Sequence, residues 1–206
     1  MKVTIIDYGV GNLRSVQSAF RFVGAETVIT DSPDEVEKAD CLILPGVGAF
    51  GPAVKALTTS GLTEAMTHAV FSRGVPFLGI CLGMQLLADK SMEFGEHQGL
   101  GWIPGKVLSL NDKNVRLPHI GFNSVGGIEK SSLLNHLPTA AEFYFVHSYH
   151  FIAEREQDVL AVTKYGDQFS SIINNGNIFG AQFHPEKSQS NGLQLLANFL
   201  KLGAKM

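Results

Sequence analysis

Only two cysteines, Cys41 and Cys81, occur in the 206 residues. Two isolated thiols build neither a disulfide framework nor a zinc site, and free thiols suit a reducing, cytoplasmic setting. Charged residues make up just 17% of the chain and the net charge is −3. Without a basic run or an acidic tail, no nucleic-acid or anionic-membrane partner is expected. No apolar stretch approaches the roughly 20 residues a membrane span needs. Asp7 cuts short the first apolar run, so no signal peptide is read there. Internal repeats and Pro/Ser-rich linkers are also missing, which leaves one domain over residues 1–206 as the economical reading.

What is present is a core. Apolar residues form 45% of the chain, ample for one sizeable domain. In the first half, short apolar runs (Val3–Ile6, Thr27–Ile29, Cys41–Leu44, Pro76–Ile80) read as buried strands. Between them, helical spacing runs over Leu13–Val23, Asp34–Lys38, Val54–Arg73 and Leu82–Ala88. Asp31-Ser32-Pro33-Asp34-Glu35 carries a helix-start signature: a cap residue, then proline and acids. Such alternation predicts an α/β fold with a mostly parallel sheet covered on both faces. Beyond residue 98 the runs Lys106–Leu110, Glu142–Val146, His150–Ala153, Val159–Thr163, Phe169–Ile173 and Ile178–Gln182 predict added antiparallel strands. A hairpin turn is expected at Asn174-Asn175-Gly176-Asn177. A last amphipathic helix is expected over Gly192–Leu202.

The sharpest local signal is Gly79-Ile80-Cys81-Leu82-Gly83, between a strand and a helix. It is a Gly-x-nucleophile-x-Gly elbow with cysteine as nucleophile. The turn is strained, and side chains at the flanking glycines would strike neighbouring backbone. The following helix aims its first amides and its dipole at the sulfur, and the Leu82 N–H is placed for an oxyanion. Cys41, inside an apolar run, reads as a buried structural residue.

A cysteine nucleophile needs a base. His184 follows the run Ile178–Phe183 and precedes Pro185 and Glu186, which places it at a sheet rim, where α/β sites form. Glu186 can turn back to hold the imidazole tautomer. His147 and His150 read as satisfied strand-end histidines, because a spacing of three fits no zinc motif. For His68, His97, His119 and His136 no partner is read. Pro45-Gly46-Val47-Gly48-Ala49-Phe50-Gly51 matches Gly-x-Gly-x-x-Gly literally. It follows the third strand, however, and no acid ends the next one, so it is not read as a dinucleotide site. Val47 and Gly48 are better used as a backbone loop giving a second N–H to the oxyanion.

Together these segments resemble the class I, triad-type glutamine amidotransferases, and within them most closely the glutaminase subunits of imidazole glycerol phosphate synthase. Asp7-Tyr8-Gly9-Val10-Gly11-Asn12-Leu13, Pro118-His119-Ile120-Gly121, Phe145-Val146-His147-Ser148-Tyr149 and His184-Pro185-Glu186-Lys187-Ser188 carry the likeness beside the elbow and the glycine loop. The resemblance implies a flavodoxin-like fold and a Cys81–His184–Glu186 triad. It implies an oxyanion hole from Leu82 and a flipping Val47-Gly48 peptide, and glutamine held by Gln85, Ser148 and Tyr149. No metal or cofactor is implied. The implied partner is a (β/α)8 barrel synthase subunit, faced by Asn12, Phe122, Tyr144 and Lys187. In its core, ammonia would react with a phosphoribulosyl formimino-aminoimidazole carboxamide ribotide, giving imidazole glycerol phosphate and aminoimidazole carboxamide ribotide for histidine biosynthesis. Phe122 stands where the family usually has tryptophan, which keeps an aromatic anchor without its N–H. Two alternatives stay open: a paralogue feeding ammonia to surface-sugar amidation, and a stand-alone Cys–His hydrolase.

Overall fold

The computed structural model describes residues 2–110, 115–127 and 130–204. Four strands, β1 (Lys2–Ile6), β2 (Glu26–Thr30), β3 (Leu42–Gly46) and β4 (Phe77–Cys81), pair in parallel in the order β2-β1-β3-β4, with β2 half-buried at the edge. Their side chains alternate between two cores. Val3 and Ile5 point to one, packed under α1 (Leu13–Phe22) and the C-terminal helix, and Ile6 to the other, beneath α3 (Phe50–Thr59) and α4 (Leu62–Thr67). Burial on both faces explains why β1, β3 and β4 read as unbroken apolar runs.

Between β2 and β3 lies α2 (Pro33–Glu37), started by Ser32 and Pro33 as expected, although the serine side chain makes no cap bond. The single helix expected over Val54–Arg73 is instead three pieces. Gly61, at φ +75°, ends α3 in a left-handed turn before α4 begins, and a π-turn (His68–Ser72) follows. The helix expected over Leu82–Ala88 is one turn, α5 (Leu82–Gln85).

Nine further strands follow among the described residues. These are β5 (Lys90–Ser91), β6 (His97–Gln98), β7 (Gly105–Ser109), β8 (His119–Gly127), β9 (Ala141–His147), β10 (Tyr149–Ala153), β11 (Val159–Tyr165), β12 (Asp167–Asn175) and β13 (Ile178–Ala181). The strand β13 returns to lie parallel beside β4 and antiparallel to β12, so the sheet changes character there. Its order is completed as β4-β13-β12-β11-β8-β9, and a second sheet runs β10-β7-β5-β6. The hairpin turn falls where expected, with Gly176 at φ +60° and Asn175 paired to Ile178. Helix α6 (Gln189–Gly203) closes the description. The nine-residue β8 was not expected from sequence, and it pairs with β9 over seven register positions.

Candidate active site

The elbow has the geometry its glycines demand. Cys81 sits at φ +56° and ψ −108°, a strained conformation for a residue with a side chain. A Cβ on Gly79 would lie 2.5 Å from the Gly83 carbonyl oxygen, and one on Gly83 would overlap the carbonyl oxygen of Leu44. Strand and helix therefore touch backbone to backbone, and Cys81 is driven out to the carboxyl edge of the sheet. One expectation needs correction. With only four residues in α5, the summed dipole at the sulfur is small.

Because β13 lies parallel to β4, with Ile80 opposite Ala181, the chain beyond β13 emerges beside Cys81. The amide of Gln182, fully buried, accepts from Gln85 Nε2 at 3.0 Å and donates to Cys81 Sγ at 3.8 Å. Two residues on, His184 Nδ1 meets Glu186 Oε1 at 2.8 Å, with both side chains almost wholly buried. The 3-10 turn Pro185–Lys187 folds the carboxylate back onto the ring. The His184 N–H donates to the Tyr144 carbonyl at 2.9 Å, and Ser188 Oγ accepts from the Tyr144 N–H at 2.9 Å. The loop is thereby pinned to β9.

Burial opposes charge on His184, but hydrogen bonding and charge from Cys81 and Glu186 outweigh it and raise its pKa to about 9. No Sγ–Nε2 hydrogen bond of ordinary geometry accompanies this, since Nε2 has no partner. An imidazolium at neutral pH, held by a buried carboxylate and facing a sulfur, is equipped to donate a proton to a leaving group.

A cavity of about 380 Å³ opens over the sulfur. Val47, Gly48, Leu82, Gln85, Ser148 and Tyr149 all line it, together with Cys81. Gly48, at φ +96° with nothing within 4 Å of a would-be Cβ, is free to reorient. Gln85 Nε2 donates to the Tyr149 carbonyl at 2.8 Å, tying α5 to the opposite wall.

Glu93, which sequence reasoning missed, also lines this cavity. Its Oε2 accepts from the Phe50 N–H at 2.7 Å and so caps α3, whose own cap residue, Ala49, has no polar side chain. Its position in a loop outside any motif gave no signal. A carboxylate in that wall suits the ammonium group of an amino acid.

Of the histidines, His147 lines the cavity and is bonded at both nitrogens. His150 lies near the start of β10, as expected, but it is not satisfied: its Nδ1 is buried without a partner. His119, for which no partner was read, is buried against His147. Cys41 is fully buried among apolar residues, and burial pushes its thiol up to about 12.

Asn12, Phe122 and Lys187 are exposed and Tyr144 is half-buried. Asn12 caps α1, its side chain accepting from the Ser15 N–H. The Phe122 and Tyr144 rings meet edge to face at 5.7 Å, and Lys187 Nζ stands 5.8 Å from the Tyr144 ring centre. Phe122 and Ile120 are 46% and 59% exposed. A second cavity, of about 430 Å³, is lined by Arg14, Phe22, Gln189 and the back of Glu186. Among the described residues no group of three or more His, Cys, Asp or Glu side chains could hold a metal, and no helix is long and apolar enough to cross a membrane.

Comparison with known proteins agrees with this geometry. Residues 4–202 match the family described as glutamine amidotransferase class-I. Proteins named imidazole glycerol phosphate synthase subunit HisH are similar over nearly the whole chain. The one from Salinibacter ruber is 47% identical, covering 97% of this chain and 94% of its own. The one from Zymomonas mobilis is 49% identical, covering 96% and 94%. Among solved structures, a glutamine amidotransferase superposes with a TM-score of 0.77 at 21% identity over 98% of both chains. PurLQS from Thermotoga maritima does so with a TM-score of 0.75 at 17% identity, again over 98% of both. These two bear on the fold alone, which is that of the α/β layers described above. Family match, relatives and elbow geometry converge: the chain belongs to the class I glutamine amidotransferases.

Proposed function

We propose that the chain is the glutaminase subunit of imidazole glycerol phosphate synthase, working as a single domain with a barrel synthase subunit. The observation that carries the site assignment is the buried His184–Glu186 pair beside a cysteine held at positive φ above a cavity. Near-full-length relatives named for that synthase support the pathway.

In this reading glutamine lies in the cavity with its α-ammonium toward Glu93 and its side-chain amide over Cys81. The thiol proton already rests on His184, the imidazolium, and the thiolate attacks the amide carbon. The carbonyl electrons move to oxygen, where the Leu82 N–H and a reoriented Val47-Gly48 peptide donate. When the intermediate collapses, the C–N bond breaks and His184 gives its proton to the departing ammonia. The neutral imidazole then takes a proton from water, whose oxygen attacks the thioester, releasing glutamate. Glu186 holds the proton on Nδ1 throughout, so that Nε2 alone faces the reaction.

Phe122, Tyr144 and Lys187 form the docking patch for the synthase. Because Tyr144 is bonded through its backbone to His184 and Ser188, binding there can reach the triad. Ammonia is mostly protonated and non-nucleophilic in neutral water, so delivery between sealed subunits is a chemical requirement. The test is ammonia release from glutamine with and without the barrel subunit and its ribotide ligand. Slow turnover alone and strong activation in the complex are expected, with a diazo-ketone glutamine analogue labelling Cys81. Fast turnover by the isolated chain would argue against the coupling, and labelling elsewhere would remove Cys81 as nucleophile.

A further inference from the structure

The two buried histidines form a chain whose proton positions can be worked out from its ends. His147 Nδ1 lies 2.9 Å from the Tyr149 carbonyl, which can only accept, so Nδ1 carries the hydrogen. With a neutral ring, Nε2 is then an acceptor. It faces His119 Nδ1 at 3.0 Å, so that nitrogen is the donor and His119 Nε2 the next acceptor. At 3.2 Å, Asn123 Nδ2 donates to it, and also to the Lys164 carbonyl at 3.1 Å. The Asn123 amide is fixed in that orientation from its other side, because its Oδ1 accepts from the Ser124 N–H at 2.8 Å. Every donor meets an acceptor, and one extra proton anywhere would set donor against donor.

The surroundings keep both rings neutral. His119 is stacked between Tyr165 and Phe145, at 3.9 and 4.9 Å between ring centres. Burial lowers His119 to about 4, and lowers His147, beside His119, His150 and His184, to about 3. At the far end the same Tyr149 carbonyl accepts from Gln85 Nε2. This carbonyl is thus the point where the relay and the floor of the cavity join.

Resting on the glutaminase reading, we propose that His147 and His119 are positioning residues. They form a tautomer-locked relay that anchors the Ser148–Tyr149 corner and Gln85 to strand β8, and so set the affinity for glutamine. His119 does not line the cavity, yet removing it frees His147 to move its proton to Nε2 and release the Tyr149 carbonyl. The chemical step, carried by Cys81 and His184, is left in place, so the relay acts on KM.

Three variants of the chain, assayed in complex with the barrel subunit, test this. His119→Phe keeps the aromatic stack, and His147→Phe removes both bonds. His147→Asn retains a donor near the Nδ1 position. For the two phenylalanine variants KM for glutamine should rise about three- to tenfold, the worth of one hydrogen bond, with kcat nearly unchanged. His147→Asn should recover most of the loss. Nitrogen NMR of the wild-type imidazoles should show both protonated on Nδ1, a readout independent of activity. A proton on Nε2 of either ring, or an unchanged KM in His119→Phe, overturns the relay whatever the chain hydrolyses. A wild-type complex that released no ammonia from glutamine would instead overturn the glutaminase reading, and this proposal with it. Should His147→Phe fail to fold, the His119→Phe result and the NMR assignment still decide.

Discussion

Replacing Glu186 by glutamine tests the triad with almost no change of shape. The carboxylate meets His184 Nδ1 at 2.8 Å through Oε1, while Oε2 is buried without a partner. An amide there has two orientations. With NH2 outward, two N–H donors are buried unpaired, and with oxygen outward one acceptor and one N–H are. The second orientation points NH2 at Nδ1. That nitrogen must then accept, which moves the ring proton to Nε2, toward the sulfur, so His184 can no longer take the thiol proton. Even in the milder orientation, a charge-assisted bond becomes a neutral one, a loss of about 1–2 kcal/mol or roughly 5–30-fold in rate. A reversed tautomer in a hydrolase triad costs up to roughly 10⁴. Glutaminase kcat in the complex should thus fall by between roughly fivefold and 10⁴-fold. KM should stay within about threefold, as Glu186 lies behind the triad and not on the glutamine cavity. Steady-state ammonia release, with circular dichroism to verify folding, measures this. A kcat within threefold of wild type would refute the orienting role.

Two other outcomes follow from the same structure. Gly83→Ala drives a Cβ into the Leu44 carbonyl and should cost about 3 kcal/mol or more in urea unfolding. Gly74→Ala, at φ +70° in open space, should cost only about 1–2 kcal/mol; equal losses would contradict the close-contact account. Stability should also peak near pH 6.5. His119 and His147 have folded pKa values of about 4 and 3, below the ordinary 6.5. The unfolded chain therefore binds their protons first, and stability falls as pH drops from 6.5 toward 4. His184, raised to about 9, acts oppositely: its contribution is complete below pH 6.5 and is lost as pH rises through 9. Urea midpoints measured from pH 4 to 9 should show both limbs, and a midpoint that climbs from pH 6.5 to 5 would contradict the sign for the buried pair.

The parallel half of the fold was legible because its inner strands β1, β3 and β4 bury both faces and its helices carry an apolar stripe, so local pattern separates them. The elbow was legible because two glycines around a cysteine have few other uses. Strand β8 was not. Its sequence, His119-Ile120-Gly121-Phe122-Asn123-Ser124-Val125-Gly126-Gly127, holds three glycines and puts its large apolar residues Ile120 and Phe122 outward. The inward positions His119 and Asn123 bond to one another instead of packing as apolar residues. Glu93 and Gln182 were invisible for another reason: their partners lie 43 and 97 residues away along the chain. Periodicity reports local burial, and such polar pairings leave no local trace.

The placement of β13 next to β4 has a consequence for how such a chain can change. Attacking atom and proton carrier ride on neighbouring tracks of one rigid ladder, so hydrogen bonds between main-chain atoms set their spacing. Those parts of the long excursion between them that touch neither the cavity nor the His184 loop can lengthen or shorten without moving either reacting group.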